Sequence, residues 1–286
     1  MIVVTGATGQ LGRLVIASLL KRGVPANTVV AAVRNPAKAE DLAARGVVVR
    51  RADYAEPASL DAAFVGAQRV LLISGNEIGQ RTAQHRAVVD AAKRAGVALL
   101  AYTSLLHADR SPLFLAGEHR ETEAAIAASG VPAVILRNGW YNENFASRIA
   151  GAVATGVMHG SAGEGRFSAA ARADYADAAA AVLSGTLPTQ TRVLELAGSD
   201  AYSLAQLAAK VSAVSGKPIR YENVSQSDYQ AALVQHGLPE AFAGVIADSD
   251  SGAAGGALFD DSDTLATLIG RPTISLEASI AAVLAS

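Results

Sequence analysis

Apolar positions along this chain follow two periods that alternate. Short stretches at 2–5, 28–33, 47–50, 69–73, 98–103 and 133–137 are rich in Val, Ile, Leu and Ala, mostly without a polar residue at every second place. Runs of this kind mark strands buried on both faces, the situation of a parallel sheet covered by helices on either side. Between them, at 10–22, 36–44, 59–64, 80–94 and 116–128, apolar residues recur at the helical period, and Gly96 and Gly130 stand where helices end. The alternation predicts a βαβ rhythm and an α/β protein with six strands in a doubly wound parallel sheet.

After about residue 140 the rhythm falters. A helix is expected at 174–183, with mixed strands near Val193 and Ile219. This divides the chain into a first domain at 1–140 and a smaller lobe at 141–286, some of whose elements return to the first. The stretch "SDSGAAGGALFDD" at 249–261, dense in small residues, is expected to be flexible, a lid or hinge. With 286 residues and 51% hydrophobic positions, the chain is long enough to bury a sizeable core. The formal net charge is −2 and no Lys/Arg cluster occurs, which argues against nucleic acid or an anionic membrane as partner. Cysteine is absent, so disulfides and thiolate metal sites are excluded. No apolar run approaches the ~20 residues that span a bilayer, and a cytoplasmic protein is expected.

The first strand breaks into "GATGQLG", which opens a helix. That context gives a three-glycine pattern its meaning: Gly6 permits a sharp turn, Gly9 lets the main chain approach a pyrophosphate, and Gly12 lets the helix lie close to the sheet. A plain structural turn is the competing reading. About 20 residues further on, an NAD site presents an acidic residue to the adenine ribose. This chain has Arg34 there, followed by Asn35 and Lys38, so a 2′-phosphate is expected and NADP(H) is preferred; a solvated surface arginine is the alternative. Asp53, Ser74 to Glu77, Thr103–Ser104 and Asn138 to Glu143 follow the later strands at the carboxyl edge, where open α/β sheets bind ligands. Together these features predict a Rossmann-type doubly wound sheet with a smaller C-terminal substrate lobe.

Six segments, "TGATGQLG", "VRNPAKA", "QHRAVVDAAKRAGV", "AYTSLLHAD", "LRNGWYNEN" and "FDDSDTLATLIGRPT", together resemble the NmrA-like, atypical short-chain dehydrogenase/reductase family in its branch of bacterial NADPH:quinone oxidoreductases. The resemblance covers nearly the whole chain. It implies an NAD(P)H:quinone oxidoreductase, NADPH preferred, that passes hydride directly to a quinone or other small aromatic without flavin or metal. The coenzyme contacts it implies are Gly6, Ala7, Thr8, Gly9, Gln10, Leu11, Arg34, Asn76, Glu77, Ile78, Asn138, Gly139, Trp140, Tyr141, Asn142, Glu143 and Arg172. Relatives also include reductases of triphenylmethane-type dyes and non-catalytic redox sensors that bind NADP(H). The protomer count stays open between monomer and homodimer.

Typical short-chain dehydrogenases carry a Tyr-x-x-x-Lys pair after the fifth strand; Leu115 and His119 stand at that place here. An alcohol/ketone dehydrogenase is therefore not expected, whereas a reduced quinone oxygen can take its proton from water or from a weak donor. His119 and Tyr141 remain as catalytic candidates. For His119 a helix-surface pair with Glu123 at i+4 is the preferred reading, and Tyr141 with Trp140 is expected to wall the pocket. "HGSAG" lacks the leading glycine of a hydrolase elbow, "DSDSGA" fails the calcium-loop spacing, and the histidines form no zinc motif.

Overall fold

The computed structural model describes residues 1–285. β1 (Ile2–Thr5) leads to α1 (Gln10–Lys21), β2 (Val29–Val33) to the short α2 (Glu40–Ala44), and β3 (Val48–Arg51) to α3 (Pro57–Ala63). Next come β4 (Arg69–Leu72), α4 (Arg81–Arg94), β5 (Leu99–Leu105), α5 (Ala116–Ser129) and β6 (Ala133–Asn138). Every strand and helix expected in this half is present. The strands pair in parallel, Val3 beside Val30 and Val70, Leu72 beside Tyr102, and Tyr102 beside Ile135. β2, β5 and β6 are buried along their whole length, as their unbroken apolar runs require. On one face Leu60, Phe64, Val88, Ala92 and Ile126 close over Val3, Leu72 and Leu100. Fully burying a Phe or Leu side chain contributes ~1.5–3 kcal/mol, so this layer supplies much of the driving force.

The remaining elements are α6 (Ala146–Thr155), β7 (Val157–Gly160), β8 (Arg166–Phe167), α7 (Arg172–Ser184), β9 (Arg192–Leu196), β10 (Tyr202–Ser203), α8 (Leu204–Ser215) and β11 (Arg220–Asn223). They end with α9 (Gln226–Gln235), α10 (Glu240–Ala254), α11 (Thr264–Ile269) and α12 (Leu276–Leu284). β9 joins the sheet as a seventh strand, giving the order β3-β2-β1-β4-β5-β6-β9. The order turns back at β1, between β2 and β4. The carboxyl ends of β1 and β4 therefore diverge and open a crevice there. Among the described residues no helix is long and apolar enough to cross a membrane.

Two compact units result. The first takes Met1–Ala108, Gly117–Asn138 and Tyr175–Leu194; the second takes Asp109–Ala116, Gly139–Asp174 and, of the described residues, 195–285. In the second unit, β7 pairs in parallel with β11 and β8 antiparallel with β10, while Phe145 meets Phe167 edge-on at 5.3 Å. Arg148 is sunk beside them. Its Nη2 donates to both oxygens of Asp250 at 3.0 and 2.9 Å and to the hydroxyl of Tyr229.

The expectation for 249–261 is overturned. α10 runs through the first part of the stretch, and Ser249, Asp250, Ala253, Ala257 and Leu258 are all buried. The small residues serve close packing. A Cβ added at Gly252 would fall 2.2 Å from Leu113, and one at Gly165 would fall 2.3 Å from the Ala253 carbonyl oxygen. Density in Gly and Ala thus marks where neighbours press in, and Asp250 is the counter-ion of Arg148 rather than part of a solvated loop.

Candidate functional site

The glycine turn sits at the end of β1. Gly6 adopts φ +58°, a conformation that side chains disfavour, and its carbonyl accepts a hydrogen bond from the Gly9 N–H at 2.9 Å. A Cβ at Gly12 would lie 2.5 Å from the Gly6 carbonyl oxygen and 2.7 Å from Ala7 Cα, so only glycine lets α1 start so close to the turn. No side chain caps α1 at Gly9. The first N–H groups of the helix therefore remain available to an anion, where the helix dipole also favours one.

This turn forms one wall of a cleft of about 790 Å³ at the crevice between β1 and β4. Gly6, Thr8, Gly9, Gln10 and Leu11 line it, with Arg34 and Lys38 following β2, Asp53 and Tyr54 following β3, and Ser74 to Glu77 following β4. Among the expected contacts in this unit, Ala7 is fully buried and Ile78 is 39% exposed; neither lines the cleft. Main-chain donors at the turn and cations after β2 fit a phosphorylated dinucleotide in size and charge.

The loop after β4 is held from three sides. Ser74 donates its N–H to Thr103 Oγ1 at 2.9 Å. The Gly75 N–H donates to His85 Nε2 at 3.0 Å, and the Gly75 carbonyl accepts from Arg81 Nε at 2.6 Å. Because His85 Nε2 accepts, its proton sits on Nδ1, within 2.9 Å of Thr122 Oγ1, whose own hydroxyl donates to the Glu118 carbonyl at 2.8 Å. Burial first, then the Arg81 charge, holds His85 down at about 4, so the imidazole is neutral and remains an acceptor. Glu77 closes the loop. Its Oε1 accepts from Arg34 Nη1 and its Oε2 from Gln84 Nε2, both at 2.7 Å, and the Gln84 bond leads in keeping its carboxyl below the usual range.

Sequence reasoning missed Tyr54, Arg81, Gln84 and His85. The last three carried a signal: at i, i+3 and i+4 they share one face of the helix that begins straight after the loop. Tyr54 carried none. Its hydroxyl donates to the Ile73 carbonyl at 2.9 Å and lies 2.5 Å from Thr5 Oγ1, contacts that exist only once three strands are side by side.

The surface-pair reading of His119 is corrected. The residue is 6% exposed and its Nδ1 lies 2.7 Å from the Tyr102 hydroxyl. Burial, then the Arg81 and His85 environment, holds it down at about 3. Glu123 turns instead to Arg137, at 2.7 Å from Nη2 to Oε2, and to the Ser104 hydroxyl at 2.5 Å. Strands β5 and β6 supply better partners than the helix itself.

Asn138 ends β6, and the remaining expected contacts lie in the second unit. Gly139 donates its N–H to the Leu196 carbonyl at 2.8 Å, and the Trp140 carbonyl accepts from the Ala170 N–H at 3.1 Å. Asn142 accepts from the Tyr202 hydroxyl at 2.7 Å and donates to Ser279 at 3.0 Å. Both carboxylate oxygens of Glu143 lie 3.0 Å from the Arg172 N–H, and the Arg172 guanidinium stands 5.0 Å over the Tyr141 ring. Glu143, Arg172 and Tyr141 are thus joined directly, while Gly139, Trp140 and Asn142 are each tied to other residues of the same unit. Among the described residues no three His, Asp or Glu side chains gather as a metal site.

An open parallel sheet with a glycine turn heading its first helix, and a cleft at the point where strand order reverses, defines a protein of Rossmann-type dinucleotide-binding architecture. The NmrA-like family model matches residues 1–279, and the chain belongs to that family. It is 54% identical to Quinone oxidoreductase 2 of Escherichia coli K12, over 98% of this chain and 97% of that protein. The crystal structure of the E. coli NADPH-dependent quinone oxidoreductase complexed with NADPH superposes with a TM-score of 0.96, covering 99% of this chain and 100% of that one. The Citrobacter sp. triphenylmethane reductase complexed with NADP(H) superposes at 0.94, with 37% identity, covering 99% and 100%.

Proposed function

We propose that this chain is an NADPH-dependent quinone oxidoreductase that uses no flavin. The observation that carries the reading is the identity along nearly its full length to the E. coli quinone oxidoreductase. Bound NADPH supplies the hydride, and the acceptor is a flat quinone or related aromatic. The protein contributes binding and orientation. Main-chain N–H groups at the start of α1 hold the pyrophosphate, Arg34 with Lys38 takes the 2′-phosphate, and the clamped loop at 74–77 fixes the ribose side of the cleft. For Asn138 to Glu143 and Arg172 the reading rests on the family resemblance alone, as further coenzyme contacts. No proton transfer is assigned to His119 in this reading: buried, bonded to Tyr102 and held near 3, its ring is a neutral imidazole at neutral pH and not an acidic imidazolium. Hydride addition leaves a hydroquinone anion, which takes one proton from water or another weak donor.

The test is NADPH oxidation followed by absorbance with a small benzoquinone and with a triphenylmethane dye, using the purified protein and checking it for flavin absorbance. Quinone turnover without a flavin band is expected. The 37% identity to the dye reductase supports a second reading, which faster turnover of the dye would favour. Tight NADPH binding with no oxidation by any acceptor would convert the protein into a redox sensor.

A further inference from the structure

The cleft holds an unusual juxtaposition for a coenzyme-selecting site. Sites that select NAD place a carboxylate after the second strand to accept the ribose hydroxyls, and sites that accept the 2′-phosphate place a cation there. Here β2 ends in the cation Arg34, and a carboxylate reaches the same spot from the loop after β4: Arg34 Nη1 and Glu77 Oε1 are 2.7 Å apart. Gln84 Nε2 donates to the other carboxylate oxygen at 2.7 Å and so favours this position of Glu77. Arg13 has a carboxylate partner too, in Asp41, but Asp41 does not line the cleft and Glu77 does.

We propose that Glu77 sets the margin between the two coenzymes: it competes with the 2′-phosphate for Arg34 and so keeps the preference for NADPH modest and NADH usable. The proposal rests on the coenzyme reading above and extends it to selectivity. The balance of effects decides its sign. A phosphate dianion seated on Arg34 would lie within a few ångströms of the carboxylate that pairs with it, and that repulsion is relieved when the charge is removed. The opposing loss is small. With the two side chains 66% and 44% exposed, the ion pair contributes little to holding the guanidinium in place. NADH has a hydroxyl at that position and meets no such repulsion.

Glu77→Gln keeps the shape and the contact to Gln84 while removing the charge. Dissociation constants of NADPH and NADH for the full chain, measured by calorimetry at low and at high salt, test the idea. Expected is a tightening of NADPH by roughly threefold to tenfold at low salt, shrinking as salt rises, with NADH moving by less than about twofold. Glu77→Asp, whose shorter side chain withdraws from Arg34, should shift the ratio the same way by less. It provides the measurement should the first variant fail to fold. A Glu77→Gln protein that binds NADPH more weakly, or both coenzymes equally altered, overturns the proposal while leaving the coenzyme reading intact. Wild-type protein that binds neither coenzyme overturns both.

Discussion

At the scale of single residues, Arg34 and Gly12 bear opposite kinds of constraint, one of charge and one of space. Removing the guanidinium with Arg34→Ala deletes a charge-assisted contact, a class of bond that contributes about 1.5–3 kcal/mol, so KM for NADPH should rise by roughly tenfold to a hundredfold. KM for NADH should change by less than about threefold, because no 2′-phosphate is lost. Equal effects on both in steady-state assays would remove Arg34 from the phosphate. Gly12→Ala acts through packing. The new methyl would overlap main-chain atoms of Gly6 and Ala7 that cannot step aside, and the expected cost is about 1–3 kcal/mol in chemical denaturation, together with weaker coenzyme binding. The places of both residues were legible in the sequence because they depend on nearby chain alone: a turn after a strand, and the end of the next strand. His119 was not, since its partner Tyr102 comes from β5, and helix periodicity offers only neighbours on the same helix.

Among elements, α4 is the one whose role the chain pattern concealed. Its apolar side, including Val88 and Ala92, packs on the sheet as the spacing predicts, but its first turns reach back to hold the loop that precedes them. His85→Leu keeps approximate volume and leaves the Gly75 N–H without its acceptor, which should cost about 1–3 kcal/mol. Because that loop lines the cleft, KM for NADPH should rise while kcat changes little. His85→Gln, with an acceptor in place, should recover part of the loss. A kcat-only effect would contradict a positioning role. α10 teaches the converse. Its run of Gly, Ala, Ser and Asp has the composition of a hinge, and only the presence of Leu113, Gly165 and Arg148 around it makes those residues a close-packed helix. The strands were readable because burial on both faces writes itself into local composition. Packing between helices does not.

For the molecule as a whole, two neutral imidazoles in the first unit tie stability to pH. In the unfolded chain they take up protons near 6.5; in the folded one His85 waits until about 4 and His119 until about 3. Between those values the unfolded state binds more protons, so stability from these groups is fully present above about 6.5 and is lost as pH falls toward 4. Melting temperature should fall across that window, and His119→Phe should flatten the decline. A melting temperature unchanged from neutrality to about pH 4 would mean that the imidazoles are not held down in the fold.

The order of strands in the large sheet has a consequence for synthesis. β6 lies between β5 and β9, yet the ribosome completes β6 at residue 138 and reaches β9 only at residue 192. While the intervening chain is being made, the nascent sheet carries a mostly apolar margin, Ala133 to Leu136, with unpaired main-chain groups, the feature that recruits stray strands. Slow translation through that interval, or a chaperone that shields it, should therefore decide yield more than any property of the finished protein.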